Sequence, residues 1–143
     1  MIYVISDIHG DYLHFAQMTK KIRFSSADML YILGDAVDKG KENLRVLRYI
    51  YNTENIYFIK GNHEYLCERY LAGIIGRDVW DACGGRNTRE EVERLSTEER
   101  IKLRAYLSGL PVYAKVNAGG KEYFLTHSGF HADYEIYKPE TDF

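Results

Sequence analysis

Met29-Leu30-Tyr31-Ile32-Leu33-Gly34-Asp35-Ala36-Val37-Asp38-Lys39-Gly40 is five apolar residues that run into glycine and two carboxylates. The run is short, and Gly34 bounds it, so residues 29–33 read as a buried strand. The same grammar occurs twice more. Residues 2–6 (IYVIS) lead into Asp7-Ile8-His9-Gly10, and residues 56–60 (IYFIK) lead into Gly61-Asn62-His63-Glu64. Between the three strands the apolar period changes from two to about 3.6. Asp11 caps a first helix carrying Phe15, Met18 and Ile22, and residues 41–51 place Leu44, Leu47 and Tyr51 on one helical face. A β-α-β-α-β order predicts an α/β fold, a layered parallel sheet with helices on its faces. Ligands of such sheets gather at the carboxyl ends of the strands, where all three polar clusters fall.

Further along, a third helix is expected from about 63 to 75, and a loop around Gly84-Gly85. Thr88-x-x-Glu91 and Ser96-x-x-Glu99 both match the capping box and predict two more helices, the second ending at Leu110-Pro111. Two strand-like runs then flank Ala118-Gly119-Gly120, a hairpin signal. The reading is one domain over 1–143, with residues 77–108 as a helical insertion between sheet halves.

The bulk properties bound the partners. A chain of 143 residues can bury one substantial core, and 45% hydrophobic with 28% charged residues is ordinary for a globular protein. A formal net charge of -2, with both signs scattered, gives no electrostatic footprint for nucleic acid. The 13 tyrosines have no spacing that suggests a base-stacking platform, so they read as packing. No leader pattern and no membrane-length apolar run is visible, so the expectation is a cytoplasmic protein with no membrane partner. Cys67 and Cys83 lack metal spacing and read as free thiols, buried or partly buried.

The chemistry lies in the strand-end clusters. In extended backbone Asp7 and His9, one residue apart, point to the same side and can hold one metal together. Asp35 has two oxygens and can bridge two metals. Asn62 offers an amide oxygen, and His127 follows a further strand in Thr126-His127-Ser128-Gly129. Mixed oxygen and imidazole ligands suit two divalent ions, manganese first, with Fe, Zn, Ni or Co as alternatives. Two metals about 3.5–4 Å apart bind a phosphoryl group and activate a bridging water for in-line attack. His63, beside Asn62, is then the natural general acid, Asp38 its orienting carboxylate, and Lys39 a point charge for phosphate. Taken singly, Asp7, Asp35 and Asn62 would also serve as turn formers or caps, but His9, His63 and His127 have no turn role. Arg86 reads as surface loop, His14 as helix surface, and Glu64 as a structural residue starting its helix.

With DIHG, GDAVDKG, GNHE and THSG in order, the chain resembles the calcineurin-like metallophosphoesterases, most closely the phosphoprotein phosphatase branch with its bacterial serine/threonine phosphatases. The resemblance runs from Ile2 to about His131, and Trp80 to Thr88 also looks like the bacterial members. It implies that Asp7 and His9 bind the first metal, Asp35 bridges, Asn62 and His127 bind the second, and His63 with Asp38 delivers the proton. It further implies a phosphorylated protein, or a small phosphoester such as a dinucleoside polyphosphate, as substrate, cleaved without a phosphoenzyme. Two departures stand out. Lys39 replaces the family's bidentate Arg. The family's last metal-binding His comes from a strand well beyond His-Ser-Gly, whereas this chain ends at Phe143. The sequence therefore reads as the front part of a longer phosphatase, lacking the C-terminal strands. The alternative it leaves open is a catalytically inactive metal-binding fragment, with His131 a remote substitute for the missing ligand.

Overall fold

The structure is a computed structural model and describes residues 1–129. Three parallel strands, β1 (Ile2–Ile5), β2 (Met29–Leu33) and β3 (Ile56–Ile59), lie in that order in one sheet. Helix α1 (Tyr12–Lys21) crosses from β1 to β2, and α2 (Asn43–Tyr51) from β2 to β3. The registers pair Ile5 with Ile32 and Leu33 with Ile59, so all three strands end level and their following loops meet. Asp11 caps α1 as its sequence position implies, its carboxylate accepting from the His14 N–H at 3.2 Å.

β2 is central, and its alternation divides the core. Leu30 and Ile32 are fully buried against the helical side with Phe15, Val46, Leu47, Ile50 and Phe58. Tyr31 and Leu33 face the opposite side, toward a smaller cluster of Ile59, Ala114 and Val116. That cluster lies under an antiparallel hairpin, β4 (Tyr113–Ala118) and β5 (Lys121–Thr126). Its two-residue turn takes positive φ at both Gly119 and Gly120, which matches the twist of paired strands. β1 departs from the buried strand expected of it. It lies at an end of the three-stranded sheet, and Ile2 and Val4 are 44% and 46% exposed.

Between β3 and β4 the chain forms α3 (Asn62–Leu71), α4 (Arg77–Ala82), α5 (Arg86–Glu93) and α6 (Thr97–Ser108). α3 stops at Leu71, short of the end expected near residue 75, and α4 occupies a stretch that carried no helix signal of its own. α6 packs on α3 and α5 on α2. Ser96 and Glu99 make the expected capping box, the Ser96 hydroxyl accepting from Glu99 N–H and the Glu99 carboxylate from Ser96 N–H. Thr88 and Glu91 do not. α5 begins at Arg86, and Thr88 lies inside it, fully buried. Glu91 instead accepts from Asn43 N–H, the Asn43 side chain and Leu44 N–H, so it caps α2 from a neighbouring helix. A tertiary partner won over the local one. The two thiols are free, as expected, but only Cys67 is buried; Cys83 is exposed.

Candidate metal centre

The loops after β1, β2 and β3 are laced together by backbone. Asp7, His9 and Gly10 donate their N–H groups to the carbonyls of Gly34, Asp35 and Ala36 at 3.2, 2.9 and 2.8 Å. This pairing continues beyond the strands in a different conformation. Asp7, His9, Asp35, Asp38 and Lys39 all have φ between 48° and 72°, a region that non-glycine residues rarely occupy. Asp7 and His9 therefore do not alternate along a strand as their spacing suggested. They converge through left-handed turns, which bring His9 Nε2 to 3.7 Å from Asp7 Oδ1. Such strain persists only where the surroundings over-determine it, and it concentrates at functional sites.

Asp35 is the hub. Its side chain is 6% exposed and sends one oxygen each way: Oδ2 lies 3.8 Å from His9 Nε2 and from His63 Nε2, and Oδ1 lies 3.4 Å from His127 Nε2. His127 Nε2 is also 3.0 Å from Asn62 Oδ1. Gly34 and Gly61 let the loops close this tightly. A Cβ on Gly61 would meet Asp35 Oδ1 at 2.3 Å, and one on Gly34 would meet Gly61 Cα at 2.6 Å.

Tautomers follow from the ring partners. His9 Nδ1 lies 2.9 Å from the Val37 carbonyl and His127 Nδ1 2.6 Å from the Leu33 carbonyl. A carbonyl only accepts, so both Nδ1 atoms carry the proton and both Nε2 lone pairs face inward. One lone pair meets Asp7 and Asp35, the other Asp35 and Asn62. These are two groups of acceptors joined through one carboxylate, an arrangement that calls for cations and fits two divalent ions of the oxygen- and nitrogen-binding kind. The Lys39 ammonium lies at the first group, its Nζ 2.9 Å from His9 Nε2.

His63 lies beside the first group, its Nε2 3.8 Å from Asp35 Oδ2, but is committed differently. Its Nδ1–H donates to Asp38 Oδ2 at 2.7 Å, and its ring meets that of His9 edge-on at 4.9 Å. His9, Asp35 and His63 present ligand atoms within 4.8 Å of one another. The Asp38 bond raises the His63 pKa above the ordinary imidazole value; burial opposes the rise and Asp35 adds to it. Asp38 is fully buried.

Glu64 does more than start α3. Fully buried, its carboxylate accepts from the backbone N–H groups of Asp35 (2.8 Å), Ala36 (2.8 Å), Val37 (3.3 Å) and Gly61 (2.9 Å). Burial pushes its pKa up while the bonds from Asp35, Gly61 and Ala36 pull it down. Each of these four partners is a donor, which is the environment of the ionised form. The sequence reading missed this clamp because three of its partners lie 27 to 29 residues away. Arg86 is exposed at the start of α5, 3.8 Å from Asp81, and His14 is exposed on α1. His131 lies outside the described residues.

Level strand ends, a shared carboxylate and inward imidazole lone pairs define an α/β protein with a candidate site for divalent cations. The chain belongs to the calcineurin-like phosphoesterase family, whose sequence profile matches residues 1–142. Among curated relatives it is 29% identical over 93% of its length to the asymmetrical bis(5'-nucleosyl)-tetraphosphatase PrpE of Geobacillus sp., of which it covers 59%. It is 30% identical over 99% of its length to serine/threonine-protein phosphatase 2 of Salmonella typhimurium, of which it covers 64%. A 75-residue stretch is 46% identical to the symmetrical bis(5'-nucleosyl)-tetraphosphatase of Buchnera aphidicola, covering 51% of this chain and 28% of that one. The chain thus spans less than two thirds of the relatives it matches. A solved structure of a mutant cold-active protein tyrosine phosphatase has the same fold, with a TM-score of 0.59, 17% identity, and coverage of 94% of this chain and 46% of that one. No helix among the described residues is long and apolar enough to cross a membrane.

Proposed function

We propose that this chain carries the metal centre of a phosphoester hydrolase acting on phosphorylated serine and threonine in protein. The observation that supports it most is Asp35, whose two oxygens serve two acceptor groups while His63 faces the same space. Asp7, His9 and Asp35 would hold one ion, and Asp35, Asn62 and His127 the other, with manganese the first choice. Divalent ions so held supply Lewis acidity, neutralising charge on phosphoryl oxygens and easing the ionisation of a water.

The protein's own groups do the rest. His63 Nε2 holds the proton that the leaving alkoxide needs, and its Nδ1–H stays bound to Asp38 Oδ2, which stabilises the imidazolium. Lys39 Nζ, next to His9, meets a phosphate oxygen as a point charge in place of a bidentate grip. Residues 77–108 act as an inserted helical segment of this single domain.

A second reading, hydrolysis of dinucleoside tetraphosphates, is favoured by the names of the PrpE and Buchnera relatives. Calorimetric titration with Mn(II), followed by phosphate release from phosphopeptides and from diadenosine tetraphosphate, separates the readings. The expected result is two ions per chain and phosphopeptide turnover above a His63→Ala control. Turnover of the dinucleotide alone selects the second reading. One ion per chain with no hydrolysis of p-nitrophenyl phosphate above the control overturns both.

A further inference from the structure

Asp38 and Lys39 are consecutive non-glycine residues in left-handed backbone, with φ of 72° and 64°. Such conformations are strained and need outside support. Here the support comes from one short stretch of distant sequence, residues 80–88. Lys39 N–H donates to the Gly84 carbonyl at 3.0 Å. The Asn87 side chain donates to the carbonyls of Lys39 and Gly40 at 3.2 and 2.9 Å. Asp38 N–H donates to the Thr88 hydroxyl at 2.9 Å. Trp80 Nε1–H donates to Asp38 Oδ2 at 2.8 Å, the same oxygen that His63 uses.

Trp80, Thr88 and Asp38 are all fully buried, and Trp80 is the only tryptophan of the chain. α4, which carries Trp80, is locked to α5, which carries Thr88. Arg89 grips Asp81 with two parallel bonds of 2.7 and 2.8 Å and Glu93 with a third of 3.0 Å. Gly85 lets the chain cross the indole, where a Cβ would come within 2.1 Å of the ring.

We propose that Trp80 and Thr88 are positioning residues for the Asp38–His63 pair, acting from opposite sides: the indole fixes the carboxylate and the hydroxyl fixes the backbone. The α4–α5 segment is then part of the proton-delivery apparatus as well as a cover over the core. Both donors meet the same oxygen, the indole at 2.8 Å and His63 Nδ1 at 2.7 Å, while Oδ1 is buried without a hydrogen-bond partner among the described residues, so the carboxylate's position is set through Oδ2. Without the indole N–H, the carboxylate is free to turn, and the His63 ring loses its fixed partner.

The inference rests on the reading of His63 as proton donor, so its test does not require turnover. The probe is the His63 Nδ1–H resonance in the 15N-histidine-labelled chain, assigned by its loss in His63→Gln. In Trp80→Phe and in Thr88→Val it is expected to shift or broaden through faster exchange with water, with amides distant from residues 34–40 and 80–88 unmoved. Thr88→Ser, which keeps the hydroxyl, is expected to restore the parent signal. A parent-like resonance in both Trp80→Phe and Thr88→Val overturns the proposal, as does a Thr88→Ser chain that behaves like Thr88→Val. If Trp80→Phe fails to fold, the Thr88 pair decides alone. If the chain turns over p-nitrophenyl phosphate, kcat is expected to fall about tenfold or more in Trp80→Phe with KM unchanged, the scale of a misaligned general acid. A fall that instead tracks loss of bound Mn(II) overturns the assignment to proton delivery.

Discussion

Replacing Glu64 by Gln changes one atom in a fully buried side chain, and the structure says what that atom does. Each carboxylate oxygen faces two backbone donors. Oε2 serves Asp35 and Gly61 at 2.8 and 2.9 Å, and Oε1 serves Ala36 and Val37 at 2.8 and 3.3 Å. The amide nitrogen of Gln must replace one of them, and the less harmful choice puts it at Oε1, opposite Ala36 and Val37. Two buried N–H groups then face a donor, at about 1–3 kcal/mol each, and the remaining bonds lose their charge assistance. Removing a buried charge offsets part of this. The net expectation is a loss of about 3 kcal/mol, read as a shift in urea midpoint with unchanged slope, or about 10 °C in Tm for a chain of this size. The Asp35–Val37 backbone that aims Asp35 would loosen as well, so Mn(II) affinity should fall at both proposed ion positions together. A Glu64→Gln protein within about 0.5 kcal/mol of the parent, the scatter of ordinary surface substitutions, would refute the clamp.

Gly61→Ala places a methyl 2.3 Å from Asp35 Oδ1 and 2.6 Å from its backbone nitrogen, neither of which can give way. We expect about 1–3 kcal/mol of destabilisation by denaturant titration, together with a fall in Mn(II) uptake. Gly85→Ala keeps the Trp80 indole N–H but displaces the ring, so the His63 Nδ1–H resonance should change as it does in Trp80→Phe. An unchanged resonance would show that the indole position is immaterial. Arg89 hydrogen bonds hold the Asp81 carboxyl below the usual range, and Glu93 is held down by Tyr70 and then Arg89. Depressed carboxyl pKa values contribute stability that is present above about pH 4 and lost as pH falls through the folded values. Arg89→Ala should therefore cost about 2 kcal/mol at about pH 7, and the gap to the parent should close on acidification below about pH 4, followed by thermal melts across pH.

The sheet was legible because its signal is local. Short apolar runs at 29–33 and 56–60, each closed by glycine, specify strands with little help from the rest of the chain. The convergence of Asp7, His9, Asp35, Asn62 and His127 was legible because short polar clusters at level strand ends have few other uses. What the sequence concealed depends on contacts between distant segments. Thr88 and Glu91 satisfy a helix-capping pattern, yet the Thr88 hydroxyl goes to Asp38 and Glu91 goes to the first turn of α2. Those partners lie 47 to 50 residues away, and no window on a single helix includes them. Asp7 and His9 have strand spacing, yet the loop bonds to Gly34, Asp35 and Ala36 turn both into left-handed backbone. For these two the convergence was foreseen, but by the wrong geometry. Trp80 drew attention only through its resemblance to bacterial phosphatases, because a buried tryptophan reads first as core, and its N–H partner cannot be inferred from spacing.

The two supporting devices act on different halves of the chemistry, and this separates their consequences. Glu64 holds the Asp35–Val37 backbone and so governs Asp35, the one residue common to both proposed cation positions. The Trp80–Thr88 clasp holds the Asp38–Gly40 turn and so governs the partner of His63 and the backbone of Lys39. The two networks meet at the consecutive residues Val37 and Asp38 and at His63, whose backbone N–H donates to Asp35 and whose ring donates to Asp38. Damage to the first should reduce ion binding and, through it, everything downstream. Damage to the second should leave ion binding intact while the His63 proton becomes mobile. The left-handed backbone at Asp35 on one side and at Asp38 and Lys39 on the other is thus kept by two adjoining networks. A Glu64→Gln, Thr88→Val double substitution should accordingly show stability losses that depart from additivity by more than about 0.5 kcal/mol, because the two side chains hold the consecutive N–H groups of Val37 and Asp38.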